Sequence, residues 1–326
     1  MSTARDDVGC RVDGQDARGA RSSDALTRRR FAGVLAAATL LPWISRADAD
    51  PLPVGEPAPA AAVSQTYRQF DEATAIVSPW AGYRSRIALK DSLVRVVRHG
   101  VLDRGKFLAA EGGPKQVPKA WLDKLIQPSE DPIYLTPENA AAWVDLLWPI
   151  GLANRMAANA TSPLAGRDLP NFASTGGWTL GHRPNGAVYF NKYRIVDMTP
   201  TAEALAVRVA KATFRPCCDN STFFQDCNHG SALLGVLQLG AAQGLDETAL
   251  YKEALAFNSF WFPDTYIRTA LYFKAVRKTE WAQVDPRLAT GADFSTASGW
   301  QKNVLTPLAA IPGLIPPPSG DVNCGA

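Results

Sequence analysis

The stretch Gly230-Ser231-Ala232-Leu233-Leu234-Gly235-Val236-Leu237-Gln238-Leu239-Gly240-Ala241-Ala242 is apolar almost all the way round. A helix of that composition has no face to offer to water, so the segment predicts a buried helix. Gly235 and Gly240 leave room for a neighbouring element to pack closely against it. Downstream, Gly244 supplies a stop and Asp246 an N-cap. The helix 247–261 then places Leu250, Ala254, Phe257 and Trp261 on one stripe. Pro263-Asp264 restarts a further helix through Tyr266, Leu271 and Phe273. Upstream, Thr201 caps a helix carrying Leu205, Val209 and Ala212, which Pro216 ends near Phe214.

Further towards the N-terminus, Thr136-Pro137-Glu138 has the signature of a helix start, with a hydroxyl, a proline at the first helical position and an acid. Trp143, Leu147 and Ile150 recur at helical intervals and read as core, and Pro149 predicts a kink or an end. Residues 67–77, 84–98, 106–110 and 119–126 also carry helical apolar spacing. Residues 176–196 change character: apolar runs flank Arg183-Pro184-Asn185-Gly186, and Asn-Gly between such runs predicts a β-hairpin. The fold class expected is therefore mainly α, a multi-helix globular domain over residues 66–314 with a minor β-hairpin. His182 is expected beside the turn and exposed, and His99 at a helix end.

Between two of these helices lies Arg215-Pro216-Cys217-Cys218-Asp219-Asn220-Ser221-Thr222-Phe223-Phe224-Gln225-Asp226-Cys227-Asn228-His229. The chain has five cysteines and three histidines, and three of the one and one of the other fall in this loop. The loop is expected to be pinned by core packing at both ends, and a helix N-terminus after Cys227 favours a thiolate. Three readings follow. Cys217, Cys218, Cys227 and His229 make an accepted four-ligand set for a transition metal such as zinc, copper or iron, although their spacing is not that of a zinc finger. Adjacent cysteines reach one ion together only over a bent backbone, so a site that uses one of Cys217 and Cys218, with an open position for water or substrate, is at least an equal expectation. Alternatively Cys227 is a nucleophile beside His229, with Asp226 or Asn228 to orient the imidazole and Cys217 or Cys218 to resolve an oxidised intermediate. The third reading pairs Cys217, Cys218, Cys227 and Cys324 in two disulfides of a non-enzymatic binding or structural protein. Asp219, Asn220, Ser221 and Thr222 make the loop polar, and Asp264, Tyr266 and Arg268 open a nearby helix as candidates to line a pocket.

The N-terminus carries an address. Thr27-Arg28-Arg29-Arg30-Phe31-Ala32 precedes an uncharged apolar run to Trp43, a basic Arg46 and the small-x-small triplet Ala47-Asp48-Ala49. This resembles a twin-arginine signal peptide over residues 1–49, which implies a bacterial protein delivered folded by the twin-arginine (Tat) export machinery to the periplasm or beyond. Many passengers of that route carry a metal or redox cofactor inserted before export, so the resemblance raises the expectation of a metal site. Residues 50–65, rich in Pro and Ala, read as a spacer, and residues 315–326 as a C-terminal tail.

Charge and missing motifs narrow the rest. Of 34 basic and 31 acidic side chains, eight and six lie in residues 1–49, which leaves the remainder near neutrality. No basic field is present to attract nucleic acid, and no stretch beyond the leader has the roughly 20 apolar residues of a transmembrane span. C-x-x-C-H, G-x-S-x-G, H-E-x-x-H, the phosphate-binding G-x-x-x-x-G-K-[ST] and the dinucleotide G-x-G-x-x-G are all missing. The partners expected are the export machinery and a metal or small-molecule ligand, with no nucleic acid.

Overall fold

The computed structural model describes residues 60–314, with side chains from residue 66 onward. The segment 1–49 read as a signal peptide, residues 50–59, and residues 315–326 with Cys324 lie outside the described residues. In chain order the elements are α1 (Ala60–Val77), β1 (Tyr83–Lys90), α2 (Ser92–Arg98), α3 (Arg104–Ala110), α4 (Lys119–Lys124), β2 (Ser129–Leu135), α5 (Ala140–Ala153) and α6 (Ala173–Gly176). There follow α7 (Pro200–Ala212), α8 (Asn228–Ala242), α9 (Glu247–Trp261), α10 (Pro263–Ala275) and four short helices, α11 (Pro286–Ala289), α12 (Ala292–Ser295), α13 (Ala297–Trp300) and α14 (Thr306–Ala309). The protein is mainly helical, and among the described residues it has one two-stranded antiparallel sheet. No helix among the described residues is long and apolar enough to cross a membrane.

The apolar helix is central. Every residue of α8 from Gly230 to Ala241 is buried. Its closest partner is α5, and two glycines set the distance: a Cβ on Gly151 would meet the Ser231 carbonyl oxygen at 1.9 Å, and one on Gly235 would meet that of Leu147 at 2.6 Å. Gly240 faces Leu250 of α9 in the same way. Trp143, Leu147 and Ile150 lie in this core, as their spacing predicts. Helix α5 continues through Pro149 to Ala153 instead of ending there. A second apolar cluster gathers Ala73 and Val77 of α1 with Tyr266, Leu271 and Phe273 of α10 and Phe294 of α12.

Helix boundaries follow local chemistry. Asp246 accepts from the Ala249 N–H to start α9, and Gly244 takes the left-handed conformation before it, with φ at +81°. Helix α7 is capped by Thr199 rather than Thr201, with Pro200 in its first position, and it ends at Ala212. Helix α5 starts at Ala140, and the segment from Thr136 forms a turn before it. Helix α1 begins at Ala60, inside the stretch read as spacer.

The strands are not where the Asn-Gly pair placed them. Asn185 has φ of −136°, whereas a type I′ hairpin turn needs positive φ at both central residues. Its side chain accepts from the Ala187 N–H and caps a single 3₁₀ turn, Gly186–Tyr189, so the predicted hairpin does not form. The sheet instead pairs β1 with β2, Tyr83 opposite Leu135 and Lys90 opposite Ser129, across three intervening helices. The segment 84–98, predicted as one helix, is β1 followed by α2. Ser85, Ile87 and Leu89 alternate inward, and Lys90 turns the chain with φ of +52°. Buried Glu253 of α9 holds this sheet to the core by accepting from the Tyr83 and Ser85 hydroxyls and the Arg86 N–H. Gln243, just after α8, bonds both backbone groups of Ala88.

Candidate metal centre

The loop between α7 and α8 is tied at each end before any cysteine is considered. The Thr222 N–H donates to the Thr213 carbonyl at 2.8 Å, the Phe223 N–H to that of Ala210, and the Phe214 N–H to that of Thr290. On the far side, the Ala297 N–H reaches the Cys218 carbonyl at 3.1 Å and the Ser298 N–H reaches Asp219 Oδ1 at 2.8 Å. A loop fixed in this way holds its side chains with little conformational freedom left to lose on ligand binding.

Its interior is organised around Arg215, which is fully buried. Nε donates to Cys227 Sγ at 3.2 Å, and Nη1 to the carbonyls of Asn220 and Ser221 at 2.9 and 2.7 Å. Nη2 donates to the Phe224 carbonyl, to Asn220 Oδ1 and to the equally buried Asp226 carboxylate. Asn220 Nδ2 closes the ring on Asp226 Oδ2 at 3.0 Å. Gly230 has no side chain because the guanidinium lies there: a Cβ would stand 2.9 Å from Arg215 Nε. Burial alone would lower the Arg215 pKa, but the charges of Cys227, Cys218 and Asp226 raise it well above its ordinary value.

The three thiols converge on this frame. Cys217 Sγ lies 3.6 Å from Cys227 Sγ and 3.6 Å from Cys218 Sγ, and all three sulfurs are within 4.8 Å of one another. Cys218 and Cys227 are buried and Cys217 is half-buried. Thiolates bound at about 2.3 Å around a tetrahedral ion stand about 3.8 Å apart, so this triangle has the size of one face of such a site. The buried triad can hold a metal ion. The same spacing exceeds the roughly 2.05 Å of a disulfide, so no disulfide joins Cys217, Cys218 and Cys227 to one another.

Cys227 is the N-cap of α8, and its sulfur accepts from the Gly230 N–H at 3.3 Å. Burial opposes its ionisation. Hydrogen bonds from the Cys217 and Cys218 thiols, with the charges of Arg215 and His229, outweigh burial and hold its pKa well below the ordinary thiol value. A site that already favours one thiolate loses less in proton release when a cation binds.

The other predicted residues sit around the triad. His229 stands outside the group of close sulfurs; its Nδ1 is 3.1 Å from Asn228 Oδ1 and its ring packs against Trp261 and Phe262. Asn228 Oδ1 is thus within hydrogen-bond distance of the imidazole, and the Asp226 carboxylate pairs with Arg215. His182 is exposed beside Asp103 and His99 stacks on Tyr193. Tyr266 is fully buried near the loop, its hydroxyl bonded to Asn258 and Ser295. Sequence reasoning gave Arg215 and Asn258 no role. The only signal for Arg215 was a charge set directly against Pro-Cys-Cys, and for Asn258 an amide on the apolar side of α9. No family model, curated protein or solved structure matches the chain.

Proposed function

We propose that the protein is an exported metal-binding protein in which Cys217, Cys218 and Cys227 hold one transition metal ion, zinc, copper or iron, with redox chemistry on the metal open to the latter two. The observation that carries this reading is the convergence of three cysteine sulfurs on a buried, pre-tied loop. Soft thiolate donors suit these ions and disfavour magnesium or calcium. The twin-arginine pattern at Arg28-Arg29-Arg30 supports delivery to the periplasm or beyond in folded form.

Elemental analysis with thiol counting tests it, on mature protein purified without chelator or an affinity metal. The expected result is about one equivalent of metal, lost together with protection of the thiols in Cys227→Ser. Metal-free protein that stays metal-free after anaerobic incubation with zinc(II), iron(II) and copper(I) would end the reading.

A second reading has its own observation. The lowered pKa of Cys227, with Cys217 at 3.6 Å as a resolving thiol, is the arrangement of a thiol-dependent enzyme. The 1 % exposure of Cys227 counts against it, because a nucleophile must meet its substrate. Rapid labelling of Cys227 by iodoacetamide at neutral pH, in protein that takes up no metal, would favour this reading instead.

A further inference from the structure

We infer that Cys217 and Cys227 form a dithiol–disulfide couple through which a small-molecule disulfide, entering at Cys217, oxidises the site and expels its metal. The expulsion rests on the metal-binding reading above, whereas the pairing of the two sulfurs rests on their geometry alone.

Cys218 and Cys227 are buried and Cys217 is half-buried, so an oxidant arriving from solvent meets Cys217 first. A partly sunken sulfur admits a small disulfide more readily than it admits the active site of a folded oxidoreductase, to which it would have to protrude. Cys217 Sγ then stands 3.6 Å from each of two sulfurs that could complete the exchange. The chain discriminates between them. Consecutive Cα atoms are about 3.8 Å apart, less than the roughly 4.4 Å at which disulfides begin, so Cys217 pairs with Cys218 only under strain. Cys227 lies ten residues away along the chain and carries no such restriction; closing its gap to a bond takes an approach of about 1.5 Å. Cys227 is also the anchored member of the pair, since its sulfur caps α8 by accepting from the Gly230 N–H at 3.3 Å and accepts from Arg215 Nε at 3.2 Å. Both donors support negative charge on the sulfur that attacks last.

In the first step the Cys217 thiolate leaves the metal and attacks one sulfur of the disulfide RSSR. A Cys217–SR bond forms, and RS⁻ departs and takes a proton from water. In the second step the Cys227 thiolate attacks Cys217 Sγ, forms the Cys217–Cys227 bond and expels the other RS⁻, which water also protonates. The two protein sulfurs give up two electrons and RSSR gains them. Cys218 remains as the one thiolate of the triad, and a single sulfur does not retain an ion that three held. A reducing thiol runs both steps backwards and restores the triangle.

The test uses the reduced mature protein loaded with zinc(II), which has no redox chemistry of its own. Under argon, excess oxidised glutathione should release about one equivalent of zinc to a chromogenic chelator. Peptide mapping after alkylation should then find Cys217 joined to Cys227 and Cys218 alone alkylated. Dithiothreitol followed by fresh zinc should restore the loaded form. In metal-free protein, Cys227→Ser should stop at a glutathione adduct on Cys217, and Cys217→Ser should take up no glutathione; the mapping of the unaltered protein decides where either variant does not fold. Zinc that stays bound, with the three thiols unreacted, would overturn the couple and leave the metal site standing. A disulfide mapped to Cys218 would overturn the choice of partner. Failure to take up zinc(II), iron(II) or copper(I) would remove the metal reading and the expulsion with it, while oxidation of the metal-free protein would still decide whether Cys217 and Cys227 pair.

Discussion

Around Arg215 a single buried guanidinium meets a carboxylate, a thiol, a side-chain amide and three backbone carbonyls. Only the planar fork of arginine satisfies that many acceptors, because an ammonium has three donors at one point. Arg215→Ala would leave Asp226 charged and buried without its partner, and the loss of stability expected is about 3–5 kcal/mol. Arg215→Lys should lose less stability while still failing to order residues 219–226; urea midpoints and hydrogen exchange across the loop measure both. Cys227 makes a second prediction at this scale. Its folded pKa lies below the ordinary value of 9.0, so the unfolded state binds the proton more tightly. Its contribution is fully present above about pH 9 and is lost as pH falls towards the folded pKa. The stability of the metal-free, reduced protein against unfolding should therefore increase as pH rises to about 9, and Cys227→Ser should remove that slope.

The contact between α5 and α8 depends on two glycines that admit no side chain. Gly235→Ala would drive a methyl against the Leu147 carbonyl at 2.6 Å, and overpacking of this kind costs about 1–3 kcal/mol, read as a lower urea midpoint at unchanged slope. On α5, burial and, secondarily, Glu111 push the Asp145 pKa up to about 7. A carboxyl raised in the fold stabilises only while protonated, so stability is lost as pH rises from about 4 towards 7, and Asp145→Asn should gain about 4 kcal/mol at pH 8 and little at pH 4. The helices were legible because their apolar spacing, caps and stops agree with what packing demands. Asp246 and Gly244 act as their residue types predict. The sheet was not legible, since β1 and β2 are joined through three helices and the inward alternation of Ser85, Ile87 and Leu89 spans too few residues to exclude a helix. Asn185-Gly186 misled for a definite reason: the same asparagine oxygen that suits a tight hairpin also caps a 3₁₀ turn, and Trp178 and Thr175 crowd Gly186 into the latter. The cysteines announced the site by their concentration, but a buried arginine has no periodicity by which to be noticed.

At the scale of the whole molecule the loop and the leader bear on one another. The three thiols meet only once α7, α8 and the α12–α13 segment are in place, because the bonds that shape the loop come from all of them. In an unfolded chain Cys217 and Cys227 are ten residues apart with nothing to hold them at metal-binding distance. A compartment that oxidises thiols would then reach them before a metal could, and pairing any two would destroy the triad. Under the proposed reading, folding and loading before export would avoid this, and the twin-arginine pattern would then have a physical purpose in this chain. Replacing residues 1–49 with a leader that threads the chain unfolded should therefore yield exported protein with oxidised cysteines and little metal. The natural leader should yield about one equivalent of metal and three protected thiols. Metal content and thiol counts on the two exported proteins decide the matter. Equal loading through both routes would mean that the site assembles as readily after export as before it, and the link between address and metal would fall.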